Sequence, residues 1–159
     1  MGKKVLIIED DPALLALMGD GFKNAGLDVL LARNGQVGME LFDVIQPDLV
    51  ITDIVMPAKE GVSVILDIRK SLSDTPLIAI SGGGTRGTKS YLHWARELGA
   101  DMVVQKPFRV SILLMIANQL LAEADQRRQD GLSGRYMRRP EPQPNGFLYD
   151  DHDHSAHLS

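Results

Sequence analysis

Glu9, Asp10, Asp53, Ser81 and Lys106 are the side chains through which this chain could do chemistry. Each closes a short apolar run: Val5-Leu6-Ile7-Ile8 leads to Glu9-Asp10, Leu49-Val50-Ile51-Thr52 to Asp53, Leu77-Ile78-Ala79-Ile80 to Ser81, and Met102-Val103-Val104-Gln105 to Lys106. If the runs lie side by side, three carboxylates and an ammonium converge. Mutual repulsion of the carboxylates calls for a hard divalent cation, and small octahedral Mg²⁺ (or Mn²⁺) suits such acids with waters and a phosphate oxygen completing the shell. A carboxylate can also attack phosphorus, forming a mixed anhydride whose added charge a metal and a lysine offset, with a serine hydroxyl donating to another phosphoryl oxygen. The set is complete for accepting a phosphoryl group. Asp11, followed by Pro12, reads as a helix cap instead.

The elements that must position these groups follow from the apolar runs. Four or five consecutive aliphatics are buried strands, and in an open parallel sheet sites are built at the carboxyl ends of strands. Strands are expected at Lys4–Ile8, Asp28–Ala32, Leu49–Asp53, Leu77–Ser81 and Met102–Gln105. Between them, apolar residues recur at helical spacing: Leu14, Leu15, Leu17, Met18 and Phe22 up to Gly26; Val37, Leu41 and Val44-Ile45 after Asn34-Gly35; Val62, Ile65, Leu66 and Ile68 after Gly61; about Thr88 to Leu98, closed by Gly99; and Ile112–Leu121. Alternating strands and helices without hairpin turns mean parallel pairing with right-handed crossovers. The expected fold is a doubly wound α/β domain: a five-stranded parallel sheet, flavodoxin-like in order 2-1-3-4-5, with helices on both faces.

Composition sets limits. The 159 residues, 44% hydrophobic, can make one domain with a real core, and the formal net charge of -4 gives no overall pull toward nucleic acid or anionic membrane. Cysteine is absent, which excludes disulfides and thiol chemistry and suits a reducing cytoplasm. The apolar run after Lys3-Lys4 ends within four residues, so no signal peptide or membrane span is read there and a cytoplasmic location is expected. From about Asp125 the chain turns polar and carries Pro140, Pro142 and Pro144, so residues 125–159 are expected to form a tail that buries little surface, without an output domain.

The same landmarks carry a family resemblance. Val5-Leu6-Ile7-Ile8-Glu9-Asp10-Asp11-Pro12, Pro47 through Asp53 with Met56-Pro57, Ile80-Ser81-Gly82, and Leu98-Gly99-Ala100-Asp101 with Lys106-Pro107-Phe108 resemble the receiver domain of bacterial two-component response regulators, the CheY-like family, over a domain taken as residues 1–124. The resemblance implies phosphotransfer from a phosphohistidine, on a histidine kinase or a histidine phosphotransfer protein, to Asp53. It further implies Mg²⁺ held by Glu9, Asp10, Asp53 and the Val55 backbone carbonyl, a phosphoryl group read by Ser81 and Lys106, and signalling through an unidentified downstream protein. Residues 125–159 are too few for a DNA-binding output domain and the net charge is negative, so direct DNA binding is not expected, nor is a membrane partner. The alternative in the same fold is a phosphate sink or relay intermediate without an output partner.

Three positions depart from the family pattern. Val103 stands where the family usually has Tyr or Phe, so the switch must use other side chains. Gly82-Gly83-Gly84-Thr85-Arg86-Gly87 is longer and richer in glycine than the usual loop, with Arg86 a candidate for a charge-assisted bond to phosphate. Val55 and Gly83 occupy the two positions that tune autodephosphorylation in the family, and neither can orient a water through its side chain, which implies a long-lived phosphoryl group.

Rival readings are weaker. Gly82 to Ser90 nearly spells a P-loop, but Thr88 separates Gly87 from Lys89. A haloacid-dehalogenase-like phosphatase would need an acid where Val55 stands. In the tail, Asp150, Asp151 and Asp153 with His152, His154 and His157 lack the supporting shell of a metal site, and Phe147-Leu148-Tyr149 is an apolar cluster of undecided role. Trp94, with Tyr91 and Leu98, reads as packing.

Overall fold

The computed structural model describes residues 2–56, 61–71, 73–82, 93 and 95–132. Strands β1 (Lys4–Ile8), β2 (Asp28–Ala32), β3 (Leu49–Asp53), β4 (Leu77–Ser81) and β5 (Met102–Gln105) form one parallel sheet in the order β2-β1-β3-β4-β5. Every strand falls on its expected residues. Helices α1 (Pro12–Asn24), α2 (Gly35–Ile45), α3 (Gly61–Lys70) and α4 (Val110–Gln129) cover the two faces, and residues 95–98 are helical before Gly99 turns the chain at φ 119°. The first part of the helix expected from about Thr88, with Tyr91 and Trp94, lies outside the described residues.

Strand alternation divides the core into two layers. Val5 and Ile7 join Leu49, Ile51, Ile78 and Ile80 beneath α1 and α4, meeting Leu15, Met18, Phe22, Leu113 and Ala117. Leu6 and Ile8 join Val50, Leu77 and Ala79 beneath α2 and α3, meeting Phe42, Val64, Ile65 and Ile68. Each large aliphatic so buried contributes roughly 1.5–3 kcal/mol against exposure, and this holds an all-parallel sheet covered on both sides.

The helices begin where the sequence signals them. Asp11 caps α1 by accepting from the Ala13 amide at 2.9 Å, ahead of Pro12, and Asn34 caps α2 by accepting from the Val37 amide at 2.9 Å. The buried faces differ from the aliphatic stripes. In α2, Gly35, Gly38 and Phe42 face the sheet while Val44 is 80% exposed; in α1, Gly19 is buried and Leu17 is 59% exposed. The reason is close approach: a Cβ at Gly38 would lie 2.8 Å from Ile8 Cγ1, so glycine brings α2 down onto β1 and rotates the valines outward.

The last helix is longer than the expected Ile112–Leu121 and runs to Gln129. Its added turns are polar but tied down: Asp125 Oδ1 pairs with Lys3 Nζ at 2.5 Å, and Arg128 Nη1 lies 3.5 Å from Asp48 Oδ1. Gly131, at φ 69°, and Leu132 close it by donating to the carbonyls of Arg128 and Arg127.

At the amino end of the sheet Arg69 organises a second polar network. Its guanidinium donates to the Gly99 carbonyl from Nε and Nη2 (2.9 and 2.8 Å), to the carbonyls of Ser73 and Thr75 from Nη1 (3.1 and 2.8 Å), and to Asp101 Oδ2 at 3.0 Å. Asp101 Oδ2 also accepts the Leu77 amide at 2.8 Å, so α3 is fastened to the entrances of β4 and β5.

Candidate functional site

The site lies at the opposite, carboxyl end, and strand register assembles it. Ile8 pairs with Thr52, Asp53 with Ile80, and Ser81 with Gln105. The residues one step beyond these pairs, Glu9 after β1 and Lys106 after β5, therefore reach the level of Asp53. Glu9 extends the ladder by donating its amide to the Ala32 carbonyl at 3.0 Å.

Asp53 is buried, and both its carboxylate oxygens are engaged: Oδ1 accepts the Val55 amide at 2.9 Å and Oδ2 accepts Lys106 Nζ at 2.5 Å. Glu9 is wholly buried. Its Oε1 accepts the Asp11 amide at 3.1 Å, while Oε2 lies 3.0 Å from Lys106 Nζ as a charge contact and has no partner in hydrogen-bonding geometry. Asp10 is exposed at the mouth. Glu9, Asp10 and Asp53 each offer an oxygen within 4.8 Å of the others, the one such acidic or imidazole cluster among the described residues.

The electrostatics reflect burial first. Loss of water pushes the Glu9 carboxyl up to about 7, with the Asp53 charge adding to the rise and Lys106 and the Asp11 amide acting against it. Burial disfavours the Lys106 ammonium, but the bond to Asp53 and the attraction of both Asp53 and Glu9 outweigh it and its pKa is raised, so this lysine stays charged. Among the described residues three carboxylates face one ammonium, and the buried Glu9 Oε2 meets it as a charge contact alone.

The remaining residues sit around this centre. Ser81 is buried at the end of β4 beside the Asp53–Ile80 pair; among the described residues its hydroxyl makes one long bond, 3.4 Å to the Gly82 carbonyl, and its own carbonyl accepts the Lys106 amide at 2.7 Å. Gly82 lies against the Lys106 side chain, where a Cβ would be 3.9 Å from Cδ. The Lys106–Pro107 bond is cis. The Val55 side chain is 57% exposed and cannot cover the carboxylate. Val103 pairs with Ala79 and packs on the layer containing Ala95 and Ala100. Pro57, Gly83, Gly84 and Arg86, the rest of the P-loop-like run and the tail clusters lie outside the described residues. The pairing of Lys106 with Glu9 as well as Asp53 was not legible in the sequence; nor was Gly61, which abuts the Asp53 backbone, although a glycine eight residues after the acid was the available signal.

Comparison with known proteins agrees with this geometry. Residues 5–118 match the family described as the response regulator receiver domain. Over 109 residues the chain is 37% identical to the probable C4-dicarboxylate response regulator DctR of Bacillus subtilis, covering 67% of this chain and 47% of that protein. Over 124 residues it is 32% identical to the DNA-binding dual master transcriptional regulator RpaA of Synechocystis, covering 77% and 50%. A crystal structure of a CheY-like response regulator receiver domain protein from Methanospirillum hungatei shares the fold with a TM-score of 0.74 at 23% identity, over 80% of this chain and 99% of that one.

These relatives correct one expectation. Direct DNA binding is not expected on length and charge, yet RpaA is a DNA-binding transcriptional regulator by name, and the chain spans about half the length of the curated relatives it matches. Length therefore carries no argument against DNA contact. The match of residues 5–118, the strand order and the acid-lined carboxyl end agree with one another, and the chain belongs to the response regulator receiver domain family of two-component systems, whose members are phosphoacceptor switches rather than classical enzymes.

Proposed function

We propose that Asp53 accepts a phosphoryl group from the phosphohistidine of a histidine kinase or phosphotransfer protein, with Mg²⁺ (or Mn²⁺) required, and that the modification changes the contacts through which this receiver signals. One observation carries the reading: a buried carboxylate, fixed by the Val55 amide and Lys106, stands within 4.8 Å of two further carboxylate oxygens at the carboxyl end of a parallel sheet.

The donor set fits a hard cation, because all are oxygens, one is buried without a hydrogen-bond partner, and three carboxylates face one ammonium among the described residues. Mg²⁺ would be held by Glu9, Asp10, Asp53 and the Val55 carbonyl, and when bound it supplies charge neutralisation at the transferring phosphoryl group. An Asp53 oxygen attacks phosphorus as the P–N bond breaks; the electron pair leaves with the donor imidazole, which is protonated, and an acyl phosphate forms on Asp53. Lys106 keeps its proton throughout and follows the negative charge from the carboxylate to a phosphoryl oxygen. The Ser81 hydroxyl, whose bond to the Gly82 carbonyl is long at 3.4 Å, turns to donate to another. With Val103 in place of an aromatic ring, the resulting shift passes through β4 and the Ala79–Val103 contact.

Intact-mass spectrometry after incubation with acetyl phosphate tests this. The expected result is one added phosphoryl group in the wild type only with Mg²⁺, and none in Asp53→Asn. No gain with acetyl phosphate, followed by no gain from an active phosphorylated histidine kinase, overturns the assignment. After donor removal the phosphoryl group is expected to persist, since neither Val55 nor Gly83 can aim a water; a half-life of seconds contradicts that part of the reading.

A further inference from the structure

Gly61 is the first residue of α3, and its backbone is packed against the phosphoacceptor strand end more closely than any side chain permits. A Cβ there would overlap the Asp53 carbonyl oxygen and lie 2.7 Å from the Asp53 carbonyl carbon and 2.8 Å from Ile54 Cα. These are backbone atoms, which cannot swing aside as the end of a flexible side chain can. Gly26, Gly99 and Gly131 have positive φ, whereas Gly61 does not, so the demand for glycine here is one of space and not of backbone conformation.

The surrounding bonds show what this close seat holds. The Gly61 amide donates to the Ile54 carbonyl at 3.0 Å, and the Ile54 amide donates to the Ile80 carbonyl at 2.8 Å, so residue 54 is gripped between α3 and β4. Thr52 Oγ1 donates to the Asp53 carbonyl at 3.0 Å on the same oxygen that Gly61 abuts. The Asp53 carboxylate is in turn oriented by the amide of Val55, one residue beyond the gripped Ile54. Pushing Gly61 away from Asp53 would loosen the Gly61–Ile54 bond and, with it, the segment that aims the carboxylate.

We infer that Gly61 is a positioning residue for the phosphoacceptor and its cation: by lacking a side chain it lets α3 clamp the Asp53–Val55 backbone, fixing the carboxylate and the Val55 peptide relative to Glu9 and Asp10. This rests on the reading of Asp53 and Mg²⁺ given above, and it adds a residue that touches neither reactant.

Gly61→Ala tests it beside Phe22→Leu, which weakens the core under α1 without touching the loop. Mg²⁺ affinity is measured by titration calorimetry, and phosphorylation by acetyl phosphate is followed by intact mass at saturating Mg²⁺, both where the variants are folded. Gly61→Ala is expected to bind Mg²⁺ about tenfold or more weakly and to phosphorylate more slowly even at saturation, as loss of a supporting contact at a metal site does. Phe22→Leu is expected to keep both within about twofold at equal or greater loss of stability, since its effect is confined to packing. Wild-type affinity and rate in Gly61→Ala overturn the inference.

If Gly61→Ala does not fold, hydrogen exchange of the wild type decides: Gly61 and Ile54 amides protected as well as the β3 core support the clamp, and fast exchange of either by local opening rejects it. Failure of the wild type to take up phosphate would strike the functional reading alone, because the Mg²⁺ and exchange measurements judge Gly61 without it.

Discussion

At the amino end of the sheet the Arg69 guanidinium is met by three carbonyls and the Asp101 carboxylate, whereas at the carboxyl end the Lys106 ammonium is shared between Asp53 and Glu9 and leaves Glu9 Oε2 without a hydrogen-bond partner. Both networks join elements far apart in sequence, and both sit largely out of water. They differ in completeness. A buried charge whose bonds are all made fixes one arrangement, while a surplus of acid around one lysine stores a demand for positive charge that a cation can meet. The amino end thus holds α3, β4 and β5 together, while the carboxyl end has the unbalanced acid that the proposed cation and phosphoryl group would use.

The largest effect separating the two ends is expected from Arg69→Met. It removes the guanidinium's bonds to Asp101 Oδ2 and to the carbonyls of Gly99, Ser73 and Thr75, and loss of one partner from such a pair costs about 3 kcal/mol. Urea denaturation checks the loss, and Mg²⁺ affinity of the folded fraction should stay within about twofold, because the two networks share no partner. A stable variant, or one with spoiled Mg²⁺ binding, would break the contrast.

Glu9→Gln should act in the opposite direction. The Glu9 carboxyl is raised from 4.5 to about 7, so between these values the folded protein holds a proton that the unfolded chain releases. Stability of the metal-free protein therefore falls as pH rises through that window and levels off above it. Removing the charge should abolish the slope and stabilise the metal-free protein at about pH 8 by on the order of 1–3 kcal/mol. The same variant should bind Mg²⁺ at least about tenfold more weakly. Thermal or urea unfolding across pH, with and without Mg²⁺, reads both; a slope retained in Glu9→Gln would assign it to another group.

The contrast also marks what could be read in the chain. The strands were legible because three or four consecutive apolar residues closed by a polar one, between helical stripes, admit few other readings, and strand register then delivers Glu9, Asp53 and Lys106 to one place. The helix faces were less so. Glycine adds nothing to an apolar stripe, yet Gly38 makes the contact with Ile8 that turns Val44 to solvent. Nor could Arg69 be singled out, since its partners lie at 73, 75, 99 and 101 and only the assembled sheet brings them near. Asp125 and Arg128 looked like tail because they extend α4 by charge pairing and not by an apolar stripe.

Lys106→Gln sharpens the comparison at the site itself. The ammonium holds the place that a cation would compete for, so its loss should leave Mg²⁺ affinity equal or about threefold tighter, while phosphorylation slows by about a hundredfold for want of charge on the phosphoryl oxygen. Weaker Mg²⁺ binding in this variant would mean that Lys106 organises the acids and does not merely neutralise them.

The smallest effect is expected where charges pair in the open. Lys3 and Asp125 are each more than a third exposed, and Arg128 is half exposed. Water screens such pairs, and ordering two long side chains offsets much of the gain, so Lys3→Ala and Arg128→Ala should each change global stability by no more than about 0.5 kcal/mol. Their effect should be local instead. Without these ties the polar last turns of α4 have few apolar contacts to hold them, so amides from Asp125 to Gln129 should exchange faster while those around Leu113 and Ala117 do not. Unchanged exchange in the double variant would mean that helix propensity and the stop at Gly131 alone sustain the end of α4, and a global loss above about 1 kcal/mol would place this network with Arg69, among the fasteners of the amino end.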